Sequence, residues 1–212
     1  MTGPVRVAVL DYGAANMVSI TKALTAVGAE AVVAAEPSAL SGIDAIVIPG
    51  VGFFDHLLNA LAHHALFDLE VGASGDLIVD EHHTVEDVAL VVGAAFAQAL
   101  GDRGGIARFG DAAVPMDESV ATAVVDVGGR PYAVVDLPFK GKRAGKLPLE
   151  LIEHVFESFA RAGGVTLNVK GRGRNDHHLA EAAFKALGRA LCSAVVVDPR
   201  RKGPASTKGS LG

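Results

Sequence analysis

The first 50 residues alternate short apolar runs with one stretch of helical periodicity. Residues 5–10 predict a strand, and apolar side chains three or four positions apart predict a helix over residues 16–27. Two further strands are predicted over residues 31–35 and 45–48, the second of which leads into the run PGVG. Continuous apolar strands that alternate with a helix are typical of a parallel sheet covered on both faces.

Helical periodicity dominates the chain after residue 52 and divides it into two similar units. Each unit is predicted to contain a helix, a strand and a second, longer helix. The first unit covers residues 53–67, 69–79 and 82–100, and the second covers residues 150–162, 165–169 and 176–195. Between the units, strand-like runs at residues 120–127 and 132–137 predict a β-hairpin around Gly128-Gly129.

Composition narrows the class to a globular protein with a substantial core. Of the 212 residues, 50% are hydrophobic and 20% are charged, which excludes a disordered chain. The longest apolar run, ten residues at 88–97, is too short to span a bilayer, and no signal peptide is visible at the start. Cys192 is the single cysteine, and its isolation suits a reducing compartment. We therefore expect a cytoplasmic protein.

Charge and aromatic content argue against nucleic-acid and membrane partners. The formal net charge is −5, tryptophan is absent, and aromatic residues make up 5% of the chain. Such a chain has no strong overall attraction to polyanions and few side chains on which bases could stack. We therefore expect neither nucleic acid nor membrane as a partner.

Histidine placement singles out the middle of the chain. All eight histidines lie between residues 56 and 178, and six of them are in adjacent pairs. The pairs are His63-His64, His82-His83 and His177-His178. Two of these pairs begin the pattern HHxxE, and a further histidine precedes each pattern by 26 residues (His56) or 23 residues (His154). Two copies of H…HHxxE in register indicate a pseudo-twofold domain that arose by duplication.

Helix geometry shows how the two copies could bind metal ions. Residues i and i+4 share a helix face, so His82 and Glu86 form a pair that can hold one cation. His177 and Glu181 form the same pair in the second copy. His83 points about 100° away from His82 and therefore suits a second metal ion. His178 diverges from His177 in the same way. Imidazole and carboxylate ligands without thiolate favour six-coordinate Mn(II) or Fe(II).

The residues leave two points about these histidines open. The two sets can meet within one subunit or across a subunit interface. In a plainer interpretation the histidines are solvated at helix ends, with Glu86 and Glu181 as first-turn partners of the helix dipole. That interpretation accounts for one motif but not for the matched spacing of two. His63 and His64 have no carboxylate partner, so we do not assign them to the site.

Basic and hydroxyl side chains form a second candidate set. Arg108 follows a glycine turn, Arg130 lies in the predicted hairpin turn, and Lys185 lies one helical turn beyond Glu181. The tail adds the run Ser206-Thr207-Lys208-Gly209. Guanidinium, ammonium and hydroxyl groups together are suited to a phosphate monoester, although each group alone is better explained as a solvated surface charge.

Residues from about 50 to 212 resemble imidazoleglycerol-phosphate dehydratase, a family of histidine biosynthesis. The matching strings are GFFDHLLNAL, HHTVEDVA, ARFGDAAVPMDE, GGRPY, DLPF, HVFESFA, RNDHHLAEAAFKALGRAL and PASTKGSL. The resemblance implies an α+β fold of two similar halves, each a four-stranded sheet with helices on one face. It also implies two Mn²⁺ ions per subunit, held at subunit contacts in a large symmetric homo-oligomer that acts on a small phosphorylated imidazole.

The resemblance further implies a role for each matched residue. The implied metal ligands are His56, His82, His83, Glu86, His154, His177, His178 and Glu181. The implied phosphate-binding residues are Arg108, Arg130, Lys185, Ser206 and Lys208. A carboxylate beside the metals is expected to act as general base, with Glu181 as the first candidate and Glu86 as the second.

The front of the chain departs from this family. Family members begin with two strands that carry an Arg-x-Thr-x-Glu-Thr-like segment, which is missing here. Residues 5–52 instead resemble the start of the glutaminase subunit of imidazole glycerol phosphate synthase, through VAVLDYGAANMVSITKAL, VGAEAVV and DAIVIPGVG. The first 55 residues contain neither cysteine nor histidine, so the nucleophile and base of a glutaminase are absent.

We therefore expect two parts, an inactive glutaminase-like segment at residues 1–49 and a dehydratase domain at residues 50–212. The replaced front raises the question of which strands complete the dehydratase sheet. Apolar strands pair readily on an open sheet edge, so strands 31–35 and 45–48 are expected to fill the two missing places.

Three functions follow from these observations. The leading hypothesis is a hydro-lyase that converts imidazole glycerol phosphate to imidazole acetol phosphate at a dinuclear metal site. The second is a non-catalytic or impaired metal-dependent assembly, because the front of the domain is replaced. The third is a glutaminase-like module that docks on a synthase subunit.

Overall fold

The computed structural model describes residues 6–10, 30–34, 45–47, 51–73, 81–201, 203, 205 and 206. Helices in this part of the chain are α1 (Gly52–Ala65), α2 (His82–Leu100), α3 (Glu150–Gly163) and α4 (Asp176–Ala194). The strands are β1 (Arg6–Leu10), β2 (Glu30–Ala34), β3 (Ala45–Val47), β4 (Phe109–Met116), β5 (Ser119–Asp126), β6 (Tyr132–Asp136), β7 (Arg143–Ala144), β8 (Leu147–Pro148) and β9 (Thr166–Arg172). All four predicted helices after residue 52 are confirmed to within about two residues at each end.

The three strands of the front form a sheet of their own. Its order is β2-β1-β3, and both pairings are parallel, with Val7 opposite Ala31 on one side and Ala45 on the other. The predicted parallel sheet is therefore confirmed. The expectation that these strands complete the dehydratase sheet is wrong, because both pair with β1, whose backbone groups bond on both edges. The predicted helix over residues 16–27 lies outside the described residues.

A four-stranded mixed sheet forms the centre of the remaining chain, in the order β4-β5-β9-β6. The predicted hairpin between the runs 120–127 and 132–137 is wrong, because β9 lies between β5 and β6. After β5 the chain passes the start of β9. There the Gly129 N–H donates a hydrogen bond to the Gly164 carbonyl, and the Tyr132 N–H donates one to the Val165 carbonyl. β6 is parallel to β9, and parallel neighbours need a crossover, which α3 supplies.

The true hairpin joins β4 to β5. Met116 pairs with Ser119 across a tight turn at Asp117 and Glu118, and Asp117 has a left-handed φ of 48°. The sequence did not predict β4, since Pro115 interrupts it and weakens the strand pattern. β4 is the edge strand of the sheet, which is where proline is tolerated in a strand.

The helices pack in crossed pairs, one helix from each repeat unit. α1 packs against α4, and α2 packs against α3. Each contact has a glycine at the closest approach of the two backbones. A Cβ at Gly188 of α4 would lie 2.5 Å from the Leu61 carbonyl of α1, and a Cβ at Gly93 of α2 would lie 2.6 Å from the Phe159 carbonyl of α3. These close approaches bring side chains of one repeat beside those of the other.

The expected pair of equal four-stranded halves is not what the described residues show. They contain one four-stranded sheet, and the described part of the first unit consists of α1, α2 and the irregular residues 66–73. Residues 69–73, the start of the predicted strand over 69–79, are irregular, and residues 74–80 lie outside the described part. The architecture is a mixed α+β fold with one face of the four-stranded sheet against helices, chiefly α4. No described helix is long and apolar enough to cross a membrane.

Candidate metal centre

The first candidate ligand set lies where α1 crosses α4. His56 of α1 places its Nε2 3.1 Å from Glu181 Oε2, and His177 places its Nε2 3.5 Å from the same oxygen. The Phe53 ring lies against the His177 imidazole, with ring centroids 4.5 Å apart. Ligand atoms of all three residues lie within 4.8 Å of one another, which is the spacing that a shared cation requires.

The second candidate set lies where α2 crosses α3. His82 Nε2 lies 3.8 Å from Glu86 Oε2, and the His82 and His154 ring centroids are 5.3 Å apart. The other Glu86 oxygen accepts from Arg161 Nη2 at 3.3 Å. This set is the counterpart of the first, since each joins the early histidine of one repeat to the HHxxE motif of the other.

The local start of α4 helps to fix the first set. Asn175 precedes the helix in an extended conformation, and its side chain accepts a hydrogen bond from the His177 amide, as an N-cap does. This cap places His177 in the first turn and therefore Glu181 in the next turn on the same face. The sequence prediction that each HHxxE motif forms an i, i+4 pair is confirmed by both contacts.

Glu181 is the most enclosed of the candidate ligands, with a side chain only 9% exposed. Lys185, one turn further along α4, places its Nζ 2.6 Å from Glu181 Oε1. Burial raises the pKa of Glu181, but hydrogen bonds from Lys185 and His56 outweigh that effect and lower the pKa below its ordinary value. Glu181 is therefore held as a carboxylate with partners on both oxygens.

His83 and His178 diverge from these two sets, as the helix geometry predicts. The His178 ring lies 6.0 Å from that of His177 at an interplanar angle of 85°. Its Nδ1 lies 3.0 Å from Glu118 Oε2 and 3.8 Å from Asp117 Oδ2 in the β4–β5 turn. The hydrogen bond from His178 is the main reason that the pKa of Glu118 falls to about 2.

The sequence did not single out this acidic pair. Asp117 and Glu118 stand in the matched string ARFGDAAVPMDE, but no spacing rule connects them to the histidines 60 residues later. Only the turn between β4 and β5 brings them to the start of α4. The sequence analysis missed Arg161 and Asp126 for the same reason. Arg161 contacts Glu86 and Asp126 contacts Arg108, and only the folded chain brings these residues together.

Two of the predicted phosphate-binding residues converge on Asp126. Arg108 donates to both Asp126 oxygens, at 2.7 and 2.9 Å, and Arg130 Nη2 lies 3.7 Å from the same carboxylate. A third Arg108 nitrogen donates to the Ala205 carbonyl at 2.7 Å, which brings the neighbouring Ser206 close. Burial raises the pKa of Asp126, and the Arg108 hydrogen bonds and charge bring it below its ordinary value.

Lys185, another member of the predicted phosphate set, contacts a different carboxylate. Lys185 belongs to the first ligand set through Glu181, and its Nζ also lies 3.8 Å from Met116 Sδ. Lys208 lies outside the described residues. The structure therefore joins Arg108 and Arg130 through Asp126 and brings Ala205, the neighbour of Ser206, to Arg108.

A cleft of about 720 Å³ lies away from the histidines, between β6 and the start of α3. Its lining residues include Lys142, Arg143, Glu150 and Glu153. None of the candidate metal ligands lines it. The ligand sets lie instead on open surface, with His56, His154 and His177 about half exposed.

The donor chemistry of both sets fits a divalent first-row metal ion. Each set offers imidazole nitrogens and one carboxylate, and neither contains a thiolate, a combination that suits octahedral Mn(II) or Fe(II). The first set places three ligand atoms within 4.8 Å of one another, a spacing that His82, Glu86 and His154 do not meet. Three protein ligands leave positions for further ligands and for substrate.

The chain is similar to one known enzyme family over most of its length. The sequence profile of imidazoleglycerol-phosphate dehydratase matches residues 49–191. An enzyme of that name from Methanoculleus marisnigri is 52% identical over 162 residues, covering 76% of this chain and 84% of its own. Another from a Roseiflexus species is 54% identical over 164 residues, covering 76% of this chain and 82% of its own.

Solved structures carry the same name. The crystal structure of the enzyme from Pyrococcus furiosus is similar with a TM-score of 0.66 and 36% identity, covering 75% of this chain and 86% of that one. The enzyme from Staphylococcus aureus gives a TM-score of 0.65 and 33% identity, covering 69% and 84%. Fold and sequence thus indicate a hydro-lyase of histidine biosynthesis with a metal-dependent site. The chain belongs to the imidazoleglycerol-phosphate dehydratase family.

Proposed function

We propose that this protein dehydrates imidazole glycerol phosphate to imidazole acetol phosphate at a site that holds two Mn²⁺ ions per subunit. The observation that carries the proposal is the crossed pairing of the two H…HHxxE copies. Each crossing joins histidines from both repeats to one glutamate, as in His56, His177 and Glu181. Solvated helix-end histidines would give no reason for two such sets.

The ligands divide between the two ions according to the contacts. His56, His177 and Glu181 hold one ion, and His82, Glu86 and His154 hold the other. His83 and His178 point away from both sets and are assigned to ions bound by neighbouring subunits, which makes the site depend on a symmetric homo-oligomer. A divalent ion in these sets supplies a Lewis acid that makes the substrate imidazole more acidic.

The reaction removes one carbon-bound proton and the neighbouring hydroxyl, which leave together as water. The enol that remains becomes the ketone of the product. A carboxylate must accept the carbon-bound proton, and Glu181 and Glu86 are the proposed catalytic groups. Glu181 has partners at 3.1 and 2.6 Å on its two oxygens, whereas the contacts of Glu86 with His82 and Arg161 are longer, at 3.8 and 3.3 Å. The contacts therefore make Glu86 the less constrained of the two bases.

The phosphate group is assigned to the basic set. Arg108, Arg130, Ser206 and Lys208 surround the phosphate, and Lys185 approaches it from the metal side. The Arg108 guanidinium is fixed by Asp126, so its remaining N–H groups are already oriented for an anion. Fixing the phosphate holds the reacting carbons in place relative to the base.

A dehydration assay with added Mn²⁺, run beside a measurement of particle size, tests this proposal. We expect turnover that requires the metal, and a large particle that becomes smaller when a chelator removes the metal. Replacing Arg108 should weaken the binding of phosphorylated substrate and of inorganic phosphate and leave the metal content intact. Metal-dependent particles without turnover would contradict the proposal.

The replaced front supports a second candidate, an impaired metal-dependent assembly. The front strands form their own parallel sheet, so they do not supply the two strands, or the glutamate, with which the family begins. Restoring those two strands in place of residues 1–49 should raise both turnover and melting temperature. Equal values for the two proteins would show that the front is a working substitute.

The parallel order β2-β1-β3 also supports assigning residues 1–49 to a glutaminase-like segment, with the dehydratase domain at residues 50–212. A third candidate follows, in which this segment docks on a synthase subunit. Co-purification with a synthase cyclase subunit, lost when residues 1–49 are deleted, would favour docking. All three candidates assume a cytoplasmic protein that acts on, or assembles around, a small phosphorylated imidazole.

A further inference from the structure

Glu118 lies in the tight turn between β4 and β5, directly beside the first turn of α4. Its Oε2 lies 3.0 Å from His178 Nδ1. Its Oε1 accepts a hydrogen bond from the Ser119 hydroxyl at 2.9 Å and another from the backbone N–H of Asn175 at 3.0 Å. Ser119 is only 2% exposed, and Asn175 is the N-cap of α4. The carboxylate therefore ties the hairpin turn to the start of the helix that carries His177 and His178.

The three contacts determine which nitrogen of His178 carries its proton. An ionised carboxylate accepts hydrogen bonds and donates none, so the Nδ1 that faces Glu118 must be the donor. In the neutral imidazole Nε2 is then unprotonated, and its lone pair points away from the turn. A histidine that binds a metal through one nitrogen usually donates from the other to a carboxylate or a carbonyl, which fixes both the tautomer and the ring orientation.

Glu118 itself has little capacity left to be a ligand. Its two oxygens already accept three hydrogen bonds. The ligand atoms of Asp117, Glu118 and His178 lie within 4.8 Å of one another, but an ion shared by them would have to replace the hydrogen bond between Glu118 and His178. His83, the counterpart of His178 in the first repeat, contacts no carboxylate among the described residues.

We propose that Glu118 is a positioning residue that holds His178 in the Nδ1-protonated tautomer and presents its Nε2 to a metal ion. This inference rests on the proposed function, in which His178 is a metal ligand. It predicts that metal affinity depends on a residue that does not touch the metal.

Substitution by glutamine gives the sharpest variant, because glutamine has nearly the same shape. The three donors around Glu118 need an acceptor at each of its two oxygen positions. Glutamine has an acceptor oxygen at only one position and a donor NH2 group at the other. If the NH2 group faces His178, then Nδ1 must accept and the proton of the neutral imidazole moves to Nε2. If it faces the Asn175 backbone N–H, two donors oppose each other and that hydrogen bond is lost. Both arrangements should weaken the presentation of Nε2.

The experiment measures the Mn²⁺ affinity of the full-length protein by competition with a chelator. We expect Glu118→Gln and Glu118→Ala each to weaken binding by about 10- to 100-fold, the usual cost of losing a carboxylate behind a metal-binding histidine. Glu157→Gln is the matched control, since Glu157 Oε2 lies 3.9 Å from His154 Nδ1, too far for a hydrogen bond. It should change the affinity less than twofold.

A double-mutant cycle with His178→Ala separates positioning from other roles. If Glu118 acts through His178, Glu118→Gln should cost nothing further in the His178→Ala background. An additive loss would mean that Glu118 is a ligand in its own right or acts on the fold, and it would overturn the inference. Ellipticity and melting temperature of the metal-free variants identify any loss of metal affinity that is caused by misfolding. If the alanine variant does not fold, the test relies on the glutamine variant, which has nearly the same shape as the wild type.

Two results distinguish failure of this inference from failure of the proposed function. Normal Mn²⁺ binding by both the wild-type protein and Glu118→Gln would overturn the positioning role and leave the metal site intact. Absence of Mn²⁺ binding by the wild-type protein would overturn the metal site and the positioning role together.

Discussion

The two candidate metal-binding crossings, α1 with α4 and α2 with α3, share a motif but differ in their surroundings. At the α1–α4 crossing, the Glu181 side chain is 9% exposed and contacts Lys185 at 2.6 Å. At the α2–α3 crossing, the Glu86 side chain is 34% exposed and contacts Arg161 at 3.3 Å, and Arg161 is itself largely exposed. The two repeats thus carry the same residues, and the burial around them differs between the two sets.

This difference shows why a repeated motif need not mean two equal sites. A charged contact weakens as water reaches it, so the Lys185–Glu181 pair should fix its carboxylate more firmly than the Arg161–Glu86 pair does. A fixed carboxylate gives a more rigid ligand set. We therefore expect the α1–α4 set to bind metal more tightly and the α2–α3 set to be more adaptable.

Removal of one histidine from each set should have the largest effect. The double substitution His82→Ala with His177→Ala is expected to eliminate most bound metal, because each change breaks a His/Glu pair. Of the single variants, His177→Ala should weaken metal binding more. Metal content per chain after gel filtration measures both effects, with His63→Ala as a control outside both sets. Unchanged metal content in the double variant would contradict the ligand assignment.

Removing the cationic partner of each glutamate, Lys185 or Arg161, should lower the free energy of unfolding by different amounts at the two crossings. Lys185→Met leaves the enclosed Glu181 carboxylate without its nearest donor, at a cost of about 2 kcal/mol in the free energy of unfolding. Arg161→Met removes an exposed pair and should cost less than about 1 kcal/mol. Urea unfolding of the metal-free proteins measures both costs. Equal costs would mean that burial does not distinguish the two sets.

The smallest expected effect is a pH dependence at the tighter set. Because the folded-state pKa of Glu181 is lowered, its carboxylate stabilises the fold above the ordinary glutamate pKa of 4.5. That contribution is lost as the pH falls through the lowered value. The stability difference between wild type and Glu181→Gln should therefore shrink on acidification, as followed by urea midpoints of metal-free protein. A difference that grows towards acid pH would reverse the assigned sign.

Sequence reasoning predicted the local features well. Helical periodicity located all four helices after residue 52, and the HHxxE spacing predicted that His82 contacts Glu86 and that His177 contacts Glu181. Both results depend on the 3.6-residue turn, which operates within one helix and needs no information about the rest of the chain. The parallel pairing at the front followed similarly from continuous apolar strands.

Prediction failed where distant segments meet. The hairpin across Gly128-Gly129 had suitable strand and turn signals, yet β9, some 40 residues later, pairs with both strands. Likewise, no local rule connects Glu118 to His178. Strand order and such contacts depend on long-range packing, which the alternation of apolar and polar residues does not encode.

The sequence by itself determined the helices, the two copies of the ligand motif and the family to which they belong. Only the tertiary structure decided that His56 faces His177 and that His82 faces His154. Gly188 and Gly93 allow the helix backbones to approach so closely that each early histidine reaches the motif of the other repeat. A helix fixes the direction of its own side chains, whereas the choice of partner belongs to the packed core, where all the elements must fit at once.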